Sequence, residues 1–200
     1  MDKSNRQKQK EKTREVLLKT AYEVFCEKGI LGTRMADIAQ AAGVSHGTVF
    51  LHFDTQETLV TQVVEYYCGR IAARTHELSD ENGTLRELLT AHLQGIMTFE
   101  PFYTRLVIEN RLLPQGARDA WMGVQSAISF HFSRAAARET GGADTEVSLL
   151  FNSWVGLVHH YLANSDLFDP EGQVIRRYGK TLTDFFIKMV SGCEGGRAHE

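Results

Sequence analysis

The segment from Thr33 to Leu59, TRMADIAQAAGVSHGTVFLHFDTQETL, constrains the fold more than any other part of the chain. Its first apolar residues recur at spacings of three and four, which predicts a short helix with one buried face. These residues are Met35, Ile38, Ala39 and Ala42. Thr33 precedes them and is expected to cap the helix with its hydroxyl.

A tight turn and a second short helix are predicted after this helix. Gly43 supplies the turn, Val44 fills the angle between the helices, and Ser45 caps the second helix. This pattern indicates a helix-turn-helix, in which residues near the start of the second helix face the base edges of DNA. A plain helical hairpin is the alternative, but the second helix is short and polar and would contribute little to a bundle core.

The preceding helix is predicted from Lys8 to Lys28, and Gly29 ends it. Its buried stripe consists of Leu17, Ala21, Val24 and Phe25. Residues 1–7 are expected to form a mobile basic arm. Such an arm can contact phosphates or the minor groove, and a merely solvated tail is an equal alternative.

The charge distribution favours a nucleic-acid partner, although the net charge of the whole chain is −3. Residues 1–20 contain seven Lys or Arg and three Asp or Glu, a balance of +4. Residues 1–54 contain nine against seven, a balance of +2. Positive charge is therefore concentrated near the helix-turn-helix, as attraction to phosphates requires. Because the excess is small, binding is expected to depend also on dimerisation and helix N-termini.

The N-terminal quarter resembles the TetR/AcrR family of bacterial regulators. The matching positions are Arg14, Leu17-Leu18, Ala21, Val24-Phe25, Gly29, Thr33, Ile38-Ala39, Ala42-Gly43-Val44-Ser45, Gly47-Thr48, Phe50, His52-Phe53, Glu57 and Leu59. The resemblance covers only the DNA-binding part. It implies an all-helical homodimer with one DNA-binding domain per subunit and a larger helical domain that binds an effector.

The resemblance assigns DNA contacts to one set of residues around the two short helices. They are Thr33, Arg34, Ser45, His46, Gly47, Thr48, Phe50, His52 and Gln56. Phe50 stands where the family usually has Tyr, which removes one phosphate hydrogen bond but keeps a ring for a thymine methyl group. His52 matches a phosphate-contacting position. Gln56 replaces a common Lys, so the salt dependence of binding should be shallow.

The whole chain is predicted to be all-α, with about nine helices. Apolar residues make up 42% of it, enough for a substantial core, and Pro and alternating β-branched runs are scarce. The expected domains are residues 1–54, which carry the helix-turn-helix, and residues 55–200, which bind ligand and dimerise. A long helix that Asp54 or Thr55 caps and that reaches His76 joins them.

The remaining helices are predicted from turn and capping residues. Thr84 caps a helix that Pro101 ends, and a short helix covers Phe102 to Asn110. The last three elements are predicted at Ala117 to Arg138, Asp144 to Ala163 and Gln173 to Val190. The final two helices are apolar on more than one face, so we expect them to pair with a second copy of the chain. The residues assigned to this dimer are Phe151, Trp154, Val158, Leu182, Phe185 and Met189.

The helices between them carry many aromatic side chains and two prolines that break the packing. We expect this region to surround a small, largely apolar effector. The residues assigned to the effector site are Phe99, Phe102, Tyr103, Glu109, Trp121, Asn152 and His159. An aromatic set at helical spacing is more often ordinary core. His159 and His160 are adjacent on a helix and point about 100° apart, so a structural role is favoured over metal binding.

Other classes of protein are disfavoured by the sequence. Three Cys without CxxC pairing favour a reducing cytoplasm over a disulfide framework. No secretory signal and no membrane-length apolar run is present. No GxSxG, HExxH or Gly-rich phosphate loop supports an enzyme, and no cofactor is expected. A helical protein-protein adaptor would explain the apolar helices but not the segment from Thr33 to Phe53.

The function predicted from the sequence is therefore that of a transcriptional regulator. It would bind a palindromic operator as a dimer, most simply as a repressor that a small hydrophobic effector releases. Activation instead of repression, the operator and the effector stay open.

Overall fold

The computed structural model describes residues 3–79, 83–140 and 144–192, which form ten α-helices and one short 3-10 turn. No strand occurs among these residues, and the prediction of an all-α fold with about nine helices is confirmed. The helices are α1 Lys3–Lys28, α2 Met35–Ala41, α3 His46–His52, α4 Gln56–Leu78, α5 Leu85–Met97, α6 Glu100–Glu109, α7 Gln115–Thr140, α8 Asp144–Ala163, α9 Ser165–Phe168 and α10 Val174–Gly192; the 3-10 turn is Asn110–Leu112.

The three N-terminal helices share a small apolar core. Leu17, Ala21 and Phe25 of α1 are at most 1% exposed. They lie in the same cluster as Ile38 of α2 and Val49 of α3, which are equally buried. The stripe predicted on α1 and the buried face predicted on α2 are therefore confirmed.

Helix α4 leads from these three helices into the larger part of the molecule, where it packs along α5 and α7. The close approach of α5 depends on Gly95, because a Cβ atom there would collide with the hydroxyl oxygen of Thr75 on α4. Helix α10 packs on α5 and α8, and α6 packs on α8 and on α1. Helix α6 therefore touches both parts of the molecule.

Several helix boundaries differ from the sequence predictions. Helix α1 begins at Lys3 instead of Lys8, since no Pro or Gly interrupts the chain there and Gln7 donates to Glu11 one turn later at 2.9 Å. Pro101 lies in the first turn of α6, where a missing N–H costs nothing, and does not end α5. The single-turn helix α9 is not predicted by the sequence patterns. Thr55 and Thr84 cap α4 and α5 with their hydroxyls as expected.

Among the described helices, none combines the length and the hydropathy that crossing a membrane requires. Cys26 and Cys68 are free thiols, and Cys193 lies outside the described residues. Of the predicted basic arm, residues 1 and 2 also lie outside them.

Candidate nucleic-acid interface

The turn between α2 and α3 has the geometry expected of a helix-turn-helix. Gly43 adopts a φ of +66°, a left-handed conformation that favours glycine. Ser45 then caps α3, because its Oγ accepts the backbone N–H of Thr48 at 3.1 Å. The turn and the cap predicted here are confirmed, and they fix the direction in which α3 leaves the turn.

Helix α3 buries one side and exposes the other. Val49 is 0% exposed and anchors the helix to the core, whereas Phe50 and Leu51 are 40% and 70% exposed. The His46 ring meets the Phe50 ring edge-on at 4.9 Å between centroids. The His46 and Phe50 rings therefore stand side by side on the outer surface, and Leu51 is exposed at the next position of the helix. Leu51 is absent from the predicted contacts, although its position one residue after Phe50 could have indicated it.

Two residues assigned to DNA contact are engaged inside the protein instead. Thr33 is 1% exposed, and its hydroxyl donates to the backbone carbonyl of Gly29 at 2.6 Å. Gln56 donates its side-chain amide to the carbonyl of Thr33 at 2.8 Å. The assignment of Thr33 is therefore corrected. The Gln56 amide uses one of its two N–H groups on Thr33, so its contact with a phosphate stays a prediction. Both side chains instead hold the α1–α2 turn against the start of α4.

Arg34 lies at the start of α2, where the sequence predicts Thr33 as the cap. The cap differs from that prediction because the Asp37 carboxylate accepts the backbone N–H of Arg34 at 2.8 Å. Asp37 also pairs with Lys28 at 2.8 Å, and these two hydrogen bonds lower the pKa of Asp37, the one from Lys28 most. The Arg34 side chain is exposed at the same end of α2.

His52, at the end of α3, lies beside cationic residues of α1. Burial lowers the pKa of His52, and the nearby charges of Lys10 and Arg14 lower it further. Its Nδ1 atom is buried, and none of the described residues bonds to it. Arg14 is held above the Phe53 ring, 5.4 Å from its centroid. An anion reaching this place would meet two cations and an imidazole.

A cationic surface runs along the first turns of α1. Arg6, Lys8, Lys10 and Lys12 are all exposed there. Of these four, Lys10 lies near the end of α3, because its charge reaches His52. The geometry thus places a cation of α1 near an exposed helix that carries hydrogen-bonding and apolar groups.

Comparison with known proteins agrees with this geometry. Residues 17–63 match the family described as "Bacterial regulatory proteins, tetR family". These residues therefore form a DNA-binding region of the TetR type. The matched residues run from α1 through α3 into α4 and include the whole helix-turn-helix.

Relatives of this chain are named as regulators. The repressor KstR2 of Rhodococcus jostii is 28% identical over 127 residues, 56% of this chain and 62% of that protein. The match to KstR2 thus spans less than two thirds of its length. The regulator TtgR of Pseudomonas putida is 26% identical over 182 residues, 82% of this chain and 87% of that protein.

Solved structures share the fold of this chain. The regulator FadR of Bacillus subtilis, crystallised with stearoyl-CoA, superposes with a TM-score of 0.68 at 17% identity, covering 86% of this chain and 96% of that one.

Helix α6 connects the TetR-family DNA-binding helices to the larger part. Glu109 accepts the backbone N–H of Leu31 in the α1–α2 turn at 2.7 Å. One turn earlier, Arg105 donates to the carbonyls of Cys26 and Glu27 at the end of α1, at 3.3 and 3.2 Å. Glu109 was assigned to the effector site, and this assignment is corrected: its carboxylate belongs to the contact between the two parts.

The remaining residues assigned to an effector divide into separate places. Tyr103, Trp121 and His159 lie together, with the Tyr103 and Trp121 rings 4.9 Å apart and the Trp121 and His159 rings 5.7 Å apart. Phe99 and Phe102 pack instead against Tyr22 and Tyr67, between α6, α1 and α4. Asn152 is exposed and lines a groove between α7 and α8. One common pocket of all seven residues is therefore not formed.

A chain of hydrogen bonds runs through the first of these places. Gln125 of α7 donates its amide to the Tyr103 hydroxyl at 3.0 Å, and this hydroxyl lies 3.1 Å from His159 Nε2. Because the hydroxyl accepts from Gln125, its own hydrogen is left for His159. Burial lowers the pKa of His159 to about 4, so the imidazole is neutral and can accept it. Gln125 was not predicted, and nothing in its sequence context distinguishes it from a surface glutamine.

His92 forms a second buried pair beside this chain. Trp154 Nε1 donates to His92 Nδ1 at 3.1 Å, so the hydrogen of the neutral His92 ring lies on Nε2. His92 is 1% exposed, and burial, with His159 as the second cause, lowers its pKa to about 3. Among the described residues, no group of three or more His, Cys, Asp or Glu is arranged to hold a metal ion.

The residues assigned to the dimer also divide by burial. Phe151, Trp154, Val158 and Leu182 are between 0% and 7% exposed and belong to the core of the subunit. Their side chains pack inside the subunit, which leaves little surface for a second chain, and their role in a dimer stays a prediction. Phe185 and Met189 are 59% and 38% exposed on α10, and their role in a dimer stays a prediction.

Proposed function

We propose that this chain is a DNA-binding transcriptional repressor of the TetR family that acts as a dimer on a palindromic operator. The observation that carries the proposal is the exposed side of α3, which carries His46, Phe50 and Leu51 and whose end lies near Lys10 of α1. His46 can hydrogen-bond a base edge, and the apolar groups of Phe50 and Leu51 can contact a thymine methyl group. Arg34 and the α1 lysines would contact phosphates.

We expect a dimer because a palindromic operator has two half-sites, and each half-site is contacted by one recognition helix. Two recognition helices must lie about 34–36 Å apart to reach successive major-groove faces. Exposed apolar side chains on α8 and α10, with Leu149 67% and Phe185 59% exposed, offer the surface for a second copy. Large exposed apolar patches on soluble proteins commonly mark such contacts.

We further propose that a small effector binds the larger part and releases the operator. FadR of Bacillus subtilis was crystallised with stearoyl-CoA, which supports ligand binding by this fold. In this chain α6 carries both Tyr103 in the interior and Arg105 and Glu109 at the DNA-binding helices. A shift of α6 would therefore move the α1–α2 turn. By reciprocity, operator DNA would weaken effector binding by the same factor.

Selection of duplexes from a random DNA pool tests the proposal. We expect enrichment of a palindrome whose affinity for the full chain falls as salt rises. The slope should be shallow, since only a few cations face the DNA. The variant His46→Ala should bind the selected palindrome more weakly than the wild type does. Glu65→Ala, on the exposed side of α4, is the control. No enriched duplex, or binding that salt does not affect, would reject the repressor.

A further inference from the structure

A groove of about 500 Å³ lies on the surface between α7 and α8. Its lining consists of four serines, two amides and two phenylalanines: Gln125, Ser126, Ser129, Phe130, Ser133, Ser148, Phe151 and Asn152. This volume falls in the range of sites that hold small molecules. The following inference rests on the proposed function, because it assigns the effector to this groove.

The walls of the groove are polar but uncharged. None of the described lining residues is acidic or basic, so an ionic ligand would lose hydration without gaining a counter-ion. The guanidinium carbon of Arg134 lies 5.9 Å from the centroid of the Phe130 ring, but Arg134 does not line the groove. Phe130 is 60% exposed and offers an aromatic face. A neutral ligand with a ring fits these walls.

Gln125 lines the groove and carries an unpaired acceptor. Its amide N–H is used by Tyr103, while its Oε1 is buried and receives no hydrogen bond from the described residues. A buried carbonyl without a donor is destabilised, because it has lost its hydration. A small rotation of this amide toward the groove would let a ligand hydroxyl or N–H supply the missing donor.

We propose that the α7–α8 groove binds an uncharged aromatic compound whose hydroxyl donates to Gln125 Oε1, as a phenol would. The ring packs on Phe130 and Phe151, and the serine hydroxyls accept or donate to further polar groups. This ligand class differs from the apolar effector expected from the sequence, because the aromatic residues that suggested an apolar pocket are packed into the core.

The groove is connected to the DNA-binding helices by hydrogen bonds. A ligand that holds Gln125 also fixes the partner of Tyr103 on α6. Two residues further along the same helix, Arg105 contacts the end of α1, and Glu109 contacts the α1–α2 turn. Occupation of the groove thus acts on the helix that holds the two parts together.

Calorimetric titration of the full chain with three matched probes tests the proposal. Naphthol carries the donor, its methyl ether lacks it, and naphthoate carries a charge. We expect naphthol to bind about tenfold more tightly than the ether, since one buried hydrogen bond separates them. Naphthoate should bind more weakly than naphthol. Equal binding of naphthol and ether, tighter binding of naphthoate, or no binding of naphthol would overturn the proposal.

Two variants locate the probe. Gln125→Leu removes the acceptor at similar volume, so naphthol and its ether should bind this variant equally well. Ser126→Leu fills the groove and should abolish naphthol binding, whereas Ala127→Leu, at the next exposed position of α7 but outside the lining, should not. If Gln125→Leu still binds naphthol more tightly than the ether, or if Ser126→Leu binds naphthol as the wild type does, the assignment is contradicted.

The titrations are made without DNA, so failure here is separable from failure of the repressor proposal. If a duplex is selected and naphthol does not bind, the groove assignment is wrong and the repressor stands. If naphthol binds as described and no duplex is selected, the groove assignment stands and the repressor is wrong.

Discussion

The Glu109 carboxylate on α6 accepts the backbone N–H of Leu31 at 2.7 Å, across 78 residues of sequence. Leu31 lies in the turn that leads to α2, and the Glu109 side chain also fills the space beside Gly29, where a Cβ atom would lie 2.8 Å from Oε1. A single carboxylate of the larger part therefore determines where the turn before the helix-turn-helix lies.

Replacement of Glu109 by Ala should destabilise the protein and loosen this junction. A hydrogen bond to a charged group contributes roughly 1.5–3 kcal/mol, and partial exposure of this one favours the lower end. Urea unfolding should show the loss, with Glu65→Ala on the exposed side of α4 as the matched control. If Glu109→Ala and Glu65→Ala unfold at the same urea concentration, the contact does not stabilise the junction.

Local sequence signals were sufficient for the helix-turn-helix and insufficient for the sites in the larger part. Ser45 and Gly43 determine their own turn from a few neighbouring residues, so their roles could be predicted. Glu109 could not be placed, because its partner is 78 residues away in sequence. When a helix is apolar on several faces, its sequence does not tell which residues pack inside the subunit and which are exposed for a second copy. Trp154 and Phe185 therefore looked alike, although one is 0% and the other 59% exposed.

His46 and Arg34 should differ in what they contribute to DNA binding. His46→Ala should weaken the selected operator relative to random duplex by about 1–3 kcal/mol, since a base contact is lost. Arg34→Ala should weaken both duplexes similarly, because phosphates are independent of sequence. Fluorescence anisotropy with the two duplexes measures the ratio. Unchanged preference in His46→Ala removes this residue from base readout, and a loss at one sequence alone contradicts the phosphate role of Arg34.

Gly43→Ala should strain the turn between α2 and α3. The φ of +66° costs a residue with a Cβ atom about 1–2 kcal/mol, and no atom lies within 4 Å of the added methyl group, so backbone strain is the only cost. Gly123→Ala is the control, because that position is also open but has no positive φ, and Ala favours the helix there. Thermal unfolding should show Gly43→Ala below, and Gly123→Ala at or above, the wild-type midpoint.

The buried histidines should make stability fall at mildly acidic pH. Burial lowers the pKa of His92 to about 3 and that of His159 to about 4, whereas both titrate near pH 6.5 when unfolded. Below pH 6.5 the unfolded chain therefore binds more protons than the native one. The contribution of the two neutral histidines to the free energy of unfolding is complete above that pH. It is lost as the pH falls toward 4, the pKa of His159, and then 3, the pKa of His92.

Urea unfolding at pH 7 and pH 5.5 checks this contribution. His92→Gln should lose less stability between the two values than the wild type does, by about 1 kcal/mol. The variant His46→Gln, on the exposed side of α3, keeps both buried imidazoles and should follow the wild type. Identical losses in the wild type and in His92→Gln would show that His92 takes no part.

A charge introduced at Phe185 should separate the proposed dimer. Phe185 is 59% exposed on α10, and Met189 lies one turn further on the same side. A carboxylate in Phe185→Glu would be buried without a partner between two copies, and loss of a central aromatic contact commonly weakens association by about 2 kcal/mol or more. Arg176→Glu places a carboxylate on the side of α10 that faces α5 and should leave the dimer intact.

Sedimentation velocity distinguishes monomer from dimer. Operator affinity should fall together with dimerisation in Phe185→Glu alone. A wild-type protein that sediments as a monomer would contradict the proposed dimer, and a Phe185→Glu variant that stays dimeric would place the contact elsewhere.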